Sequence, residues 1–398
     1  MFLQRLLTRN PELPLAAVRL HQAERVRAGT YLIDLDMAAH NAEHIRRAAD
    51  ARQLSVYFMA KQYGRNPDLS ASLVAAGLPA AVCVDRQCLD AHVRHGIPVG
   101  HVGHLVQLDR GSEAAALDAR PEVVTLFSLE AAARLSHAAR RAGRDQAVLL
   151  RVHAPGDTFY FGHGGGFPLA DVTSAAASID RLGGLRVVGV TTFPCLLADP
   201  DTRSIRPTHN LATLVEAAEQ LRRAGHAITQ VNAPGTTSAR TLALLAEAGA
   251  THVEPGNALH GTTPEHVFDP DAPELPAIVY VTEVSHLDGD DAYLFAAGYY
   301  VDKILGAYQL RAAVGHDASL LERVLDVDTA PDGAIHYYAI ARRARQAGVR
   351  VGDTVVFCFR PQTFVTRART QALAGLHRSP PGREDLRPSY DQEAVLRS

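Results

Sequence analysis

Eight short apolar runs, separated by Ala-, Leu- and Arg-rich amphipathic segments, constrain the fold of this chain more than any other feature. The runs occupy residues 56–60, 80–84, 101–105, 122–127, 147–152, 186–192, 228–231 and 251–254. Helical patterns such as 129–142, 208–224 and 236–248 lie between them. Strands alternating with helices pair in parallel through right-handed crossovers. Eight such units in about 200 residues is the count of a closed (β/α)8 barrel. An open doubly wound sheet would normally carry a glycine-rich phosphate fingerprint after its first strand. Lys61-Gln62-Tyr63-Gly64 is no such fingerprint.

The flanks have a different texture. Residues 1–28 are mixed and helix-prone, and Tyr31 to Leu35 reads as a short strand with Asp36 capping the helix behind it. The barrel is expected over 29–268. Beyond Pro264, Pro270 and Pro276 mark a linker. Short β-branched runs at 277–284, 292–297, 336–339 and 353–359 then predict a mostly β domain over 269–375. The tail, 376–398, is rich in proline and charge and is expected to be disordered.

Composition removes several function classes. A net charge of −3 with no long basic run argues against a nucleic-acid binder. The longest apolar stretch, 73–84, is too short for a membrane span and contains Gly77 and Pro79. Without a signal-peptide pattern at the start, a cytoplasmic location is expected. Cys83, Cys88, Cys195 and Cys358 form no CxxC pair and no ligand-like spacing with histidine, so no metal is expected.

The chemistry gathers at strand ends. Val56 to Ala60 runs straight into Lys61. A lysine at the lip of an apolar cavity loses hydration, which disfavours its ammonium and makes the amine a nucleophile toward carbonyls. A snorkelling surface lysine is the ordinary alternative. Asn232 to Ala239 ends a strand with Gly235, Thr236, Thr237 and Ser238, a pattern suited either to phosphate at a helix start or to a plain capping turn. Glu254-Pro255-Gly256-Asn257 follows the last strand of the barrel.

Taken in order, Ile33-Asp34-Leu35, His40-Asn41, Lys61, Tyr63-Gly64 and Glu254-Pro255-Gly256 resemble the alanine racemase family, fold type III enzymes that use pyridoxal 5'-phosphate (PLP). The resemblance covers roughly residues 30–360 and is nearest to the YhfX-like branch, described as amino-acid racemases. It implies that Lys61 carries PLP as an aldimine and serves as one base, with Tyr63 close by. It implies that Phe193 stands where racemases stack a histidine on the ring, and that Gly235, Thr236, Thr237, Ser238 and Gly256 serve the phosphate. Glu254 would face the pyridine nitrogen, as in the related basic amino-acid decarboxylases, while Asn257 replaces their phosphate-gripping arginine.

From the second domain the resemblance implies Tyr293 as the opposite base, with Tyr299 and Tyr300 as rivals, delivered across a homodimer with composite active sites. Arg360, Cys358 and His163 are candidate substrate contacts, with Arg151 beside them. The expected activity is an amino-acid racemase. An amino-acid decarboxylase of the same fold is the enzymatic alternative. A non-catalytic PLP carrier is the other, although such carriers are a barrel alone.

Overall fold

Parallel strands covered on both faces bury every residue, which is why they read as unbroken apolar runs. The computed structural model describes residues 1–296, 300, 308–331, 333–378 and 384–397. Contacts divide the chain into two compact units, one of 43–60 and 73–256, the other of 1–42, 61–72 and 257–398.

The first unit is the expected barrel. After β1 (Thr30–Asp34), its strands are β2 (Ser55–Met59), β3 (Ala80–Cys83), β4 (Val99–Val102), β5 (Val123–Leu126), β6 (Gln146–His153), β7 (Leu185–Thr191), β8 (Gln230–Asn232) and β9 (His252–Val253). Each pairs in parallel with the next, and β9 returns to β2 through His252↔Ser55 and Val253↔Val56. The barrel is closed and has no free edge. Local signals set the helix starts: Asp85 accepts from the Cys88 N–H at 2.7 Å and Ser128 from the Ala131 N–H at 3.2 Å. Tyr57 fills the interior, its hydroxyl donating to Glu122 at 2.7 Å. A Cβ on Gly100 would meet its ring at 2.3 Å, so glycine is required opposite.

The second unit is built on a ten-stranded sheet. It comprises β10 (Ile278–Asp288), β11 (Asp291–Phe295), β12 (Leu310–Gly315), β13 (Val324–Asp328), β14 (Tyr338–Ala341), β15 (Thr354–Phe357), β16 (Arg369–Ala374), β17 (Asp385–Tyr390), β18 (Leu396–Arg397) and β1. The strand at residues 30–34, read from sequence as part of the barrel segment, belongs here. It runs antiparallel to β10 and parallel to β16. All five of its residues are buried, so its pattern carries no mark of which sheet would claim it.

The ends of the chain complete this unit. Helices Phe2–Arg9 and Glu12–Gln22 lay Leu6, Leu13, Ala17 and Leu20 on a core that includes Val279, Val281, Val356 and Leu373. Arg5 donates to the carbonyls of Asp269, Pro270, Ala272 and Glu274, pinning the segment read as a linker. The described part of the tail corrects the expectation of disorder. β17 pairs with β16, setting Leu386 opposite Leu373 and against the core. The few apolar residues there count because a sheet edge is waiting for them.

Candidate active site

Glu254 follows β9 immediately and is 3% exposed. Two neighbours fill its Oε1: His101 Nδ1–H donates at 2.5 Å and Asn232 Nδ2–H at 2.7 Å. His101 lies on β4, Asn232 ends β8, and the far nitrogen of His101, Nε2, meets Thr125 Oγ1 of β5 at 2.5 Å. Oε2 is buried and accepts no hydrogen bond among the described residues, although His104 Nδ1 stands 3.3 Å away. Burial alone would push the carboxyl up. The facing His104 and His101, with the hydrogen bonds of His101 and Asn232, outweigh it and hold the carboxyl down at about 2. These groups converge from β4, β5, β8 and β9 toward the carboxyl end of the barrel, where such folds place their chemistry.

Arg151, on β6 in the same unit, has no exposed surface. Its Nη2 donates to the carbonyls of His163 (2.9 Å) and Phe193 (3.2 Å). Its guanidinium lies over Phe127 and Phe159 at 5.3 and 5.7 Å from the ring centroids. Nε and Nη1 are buried without a partner among the described residues. Burial lowers the guanidinium to about 10, with Cys195 and Asp157 acting the other way. An all but anhydrous cation with open N–H groups is a receptor for an anion. His163, Tyr160 and His104 form an aromatic group with Phe193, their centroids 5.5–5.8 Å from its ring.

The phosphate-type turn differs from the sequence reading. The helix expected from residue 236 begins at Leu242 and ends at Glu247. Thr241 Oγ1 accepts from the Ser238 N–H at 2.8 Å, and the Thr236 and Thr237 N–H groups donate to Leu196 and Gly235 carbonyls. Hydroxyls competing for the backbone delay the helix, so its N–H groups do not open at Thr236, Thr237 and Ser238. Gly235 is needed for a close approach, since a Cβ would meet Leu196 N at 2.6 Å. Gly256 follows Glu254 and is buried.

In the other unit, Lys61 opens a 3-10 turn, half-buried, with Nζ 5.4 Å above the Phe364 ring. The Tyr63 hydroxyl is tied to Ser70 at 3.1 Å. Asn257, its amide turned to face the guanidinium, accepts from Arg360 Nε and Nη2 at 3.1 and 3.2 Å. Tyr293 stacks on His286 at 4.6 Å and is half-buried. Tyr300 is half exposed, and Tyr299 lies outside the described residues. Cys358 is a correction: it is packed among the Val, Leu and Ala side chains of the sheet core, and burial pushes its thiol up to about 12. It is a core thiol.

Sequence reasoning missed His101, His104 and Asn232. The signal was present, since two histidines at a strand's carboxyl end face a barrel mouth, but their partner is 153 residues away. It also found no histidine for the cysteines, whereas the fold brings Cys83, Cys88 and His92 together. His92 Nδ1 lies 2.7 Å from the Cys88 carbonyl, a helix back-bond at i,i+4. His101, His104 and Glu254 also bring their polar atoms within 4.8 Å of one another. There His101 Nδ1 lies 2.5 Å from Glu254 Oε1, a separation that a hydrogen bond accounts for.

The closed barrel and the buried carboxylate after its last strand point to a class, and the comparisons agree on the fold. The alanine racemase N-terminal domain matches residues 33–264, and a YhfX-like C-terminal domain matches 279–382. The chain belongs to the alanine racemase family of fold type III, PLP-dependent enzymes. It is 38% identical over 382 residues to the protein YhfX of Escherichia coli (strain K12), covering 96% of each chain.

Among solved structures it resembles D-threo-3-hydroxyaspartate dehydratase from Delftia sp. HT23 (19% identity, TM-score 0.66, 88% of this chain and 95% of that one). It also resembles D-threonine aldolase from Filomicrobium marinum (16%, 0.66, 93% and 96%). A third is an alanine racemase of Clostridium difficile 630 in complex with cycloserine (14%, 0.64, 91% and 98%). At these identities the likeness carries the fold alone. No helix among the described residues is long and apolar enough to cross a membrane.

Proposed function

We propose that this chain is an amino-acid racemase. Two observations within the barrel unit fit PLP and its substrate. Glu254 presents a buried, ionised oxygen that lacks a hydrogen-bond donor, matching a protonated ring nitrogen. Arg151 presents open N–H groups to an anion. When bound, PLP supplies an electron sink for charge developing at the amino acid's α-carbon. Lys61 would hold the cofactor and move a proton on one face. Tyr293, half-buried on β11, is the proposed acid/base for the other, delivered by the partner in a homodimer. Gly235 and Gly256 would lie at the phosphate end, and Phe193 would border the ring.

Arg151 is the observation that carries racemisation over decarboxylation. A carboxylate gripped by a desolvated guanidinium is stabilised as an anion. That stabilisation is lost as neutral carbon dioxide departs and kept while the α-proton moves. Decarboxylation is the second reading, favoured by Glu254 beside the ring nitrogen. The test is incubation with single L- and D-amino acids in deuterated water. Optical inversion with deuterium at Cα supports the proposal; release of carbon dioxide, or of a keto acid and ammonia, overturns it.

Arg151→Met carries its own prediction. Exchanging Arg151 for an apolar side chain of similar length removes a desolvated charge but takes the donor from the His163 and Phe193 carbonyls, two effects of opposite sign. The variant is expected to melt close to wild type while kcat/KM falls by about 10²-fold, as a lost charge-assisted contact predicts. Calorimetry beside steady-state kinetics checks both halves. A lower melting temperature with unchanged kinetics would make Arg151 purely structural.

A further inference from the structure

We infer that His101 is a positioning residue that holds Glu254 as a carboxylate through Oε1, and so keeps the ring nitrogen of the bound cofactor protonated. The inference rests on the reading that this site takes PLP, and adds to it a residue that would not touch the cofactor.

The geometry is specific. Oε1 is occupied by the two N–H donors of His101 and Asn232, which leaves it no room to carry a proton of its own. His101 is itself held from behind by Thr125 Oγ1, and both His101 and Glu254 have no exposed side-chain surface. Water therefore cannot replace either donor. The other titratable groups facing Glu254 are His104, from the segment after β4, His252 on β9, Tyr57 on β2 and Cys195. Burial, eased by Glu254 and reinforced by His101, lowers His252 to about 4, so it supplies no proton near neutrality. Burial raises Tyr57 and Cys195, which stay neutral. The N–H groups that neutralise Oε1 are thus those of His101 and Asn232. Removing His101 leaves the desolvated carboxylate with one hydrogen-bond donor, Asn232, and with His104 3.3 Å from Oε2, a weaker hold that favours uptake of a proton. A protonated Glu254 has no charge to offer a ring N–H⁺, and the ring nitrogen then gives up its proton.

The experiment uses the full chain loaded with PLP labelled with ¹⁵N at the ring nitrogen and fixed by borohydride, in wild type, His101→Phe and His101→Asn. Phenylalanine keeps the ring volume without a donor; asparagine places an amide N–H where Nδ1 stood. Mass spectrometry counts the attached cofactor, and the ¹⁵N chemical shift reports protonation without any turnover. The expected result is a protonated nitrogen in wild type and His101→Asn across about pH 6 to 9. In His101→Phe the midpoint should fall by at least about two pH units. Labelled His101→Phe with a wild-type shift would overturn the inference and leave the cofactor reading intact. Wild type that takes no label would overturn both. Stoichiometric metal in the purified protein, lost on replacing His101, would assign the histidine to a metal and also overturn it.

Discussion

Replacing Lys61 with alanine is expected to abolish covalent cofactor attachment and to lower turnover by about 10³-fold or more. The reasoning starts in the chain. Ser55–Met59 is a barrel strand with four buried residues, and Lys61 stands two positions past its end, where barrel loops begin. The amine rests 5.4 Å over the Phe364 ring, a setting that tolerates a cation. Arginine at this position would keep the charge but cannot form an imine, so Lys61→Arg separates electrostatics from covalency. Reduction with borohydride followed by peptide mass mapping should find one pyridoxyl group on Lys61 in wild type and none in either variant. An added primary amine should restore part of the activity of Lys61→Ala and none of Lys61→Arg. Label retained in Lys61→Ala would move the cofactor to another residue and end the racemase proposal in its present form.

How far the sequence led follows from which forces are local. The eight barrel strands were legible because burial on both faces writes itself as a run of apolar side chains. Their ends were less so. The run read at 101–105 is a strand at Val99–Val102, because Gly103 turns left-handed at φ +79° and takes His104 out of the sheet. The helix read from 236 starts at Leu242 because the hydroxyls of Ser238 and Thr241 bond to each other and to the backbone. Strand 30–34 and the tail went astray for another reason. Strand 30–34 is claimed by β10 and β16, partners far along the chain, and the tail by β16 beside it, pairings that no local pattern encodes. The site divides the same way. Lys61 and Glu254 announce themselves at strand ends, whereas His101, Thr125 and Asn232 gain meaning only once β4, β5, β8 and β9 converge.

Glu254→Gln tests that convergence without any cofactor, through the dependence of stability on pH. Glu254 sits at about 2 in the folded chain, below the 4.5 usual for a glutamate. A carboxyl depressed by folding contributes stability that is fully present above its unfolded value. That stability is lost as pH falls from about 4.5 toward 2. The size of the effect is on the order of 3 kcal/mol, set by that gap at about 1.4 kcal/mol per unit. Glutamine preserves an oxygen for His101 and Asn232 but carries no charge to titrate. In denaturant unfolding of the apo chain, the variant should therefore be less stable than wild type near neutrality. The gap should narrow through pH 4 and close near pH 2, provided both proteins remain folded at the lower limit. Turnover of the loaded variant should fall by about 10²-fold or more, since a preorganised charge is gone from the ring nitrogen's partner. A stability difference constant from neutrality to pH 3 would mean that Glu254 is not held ionised by its neighbours. The histidine network would then be packing rather than electrostatics, and the protonated ring nitrogen would lose its source.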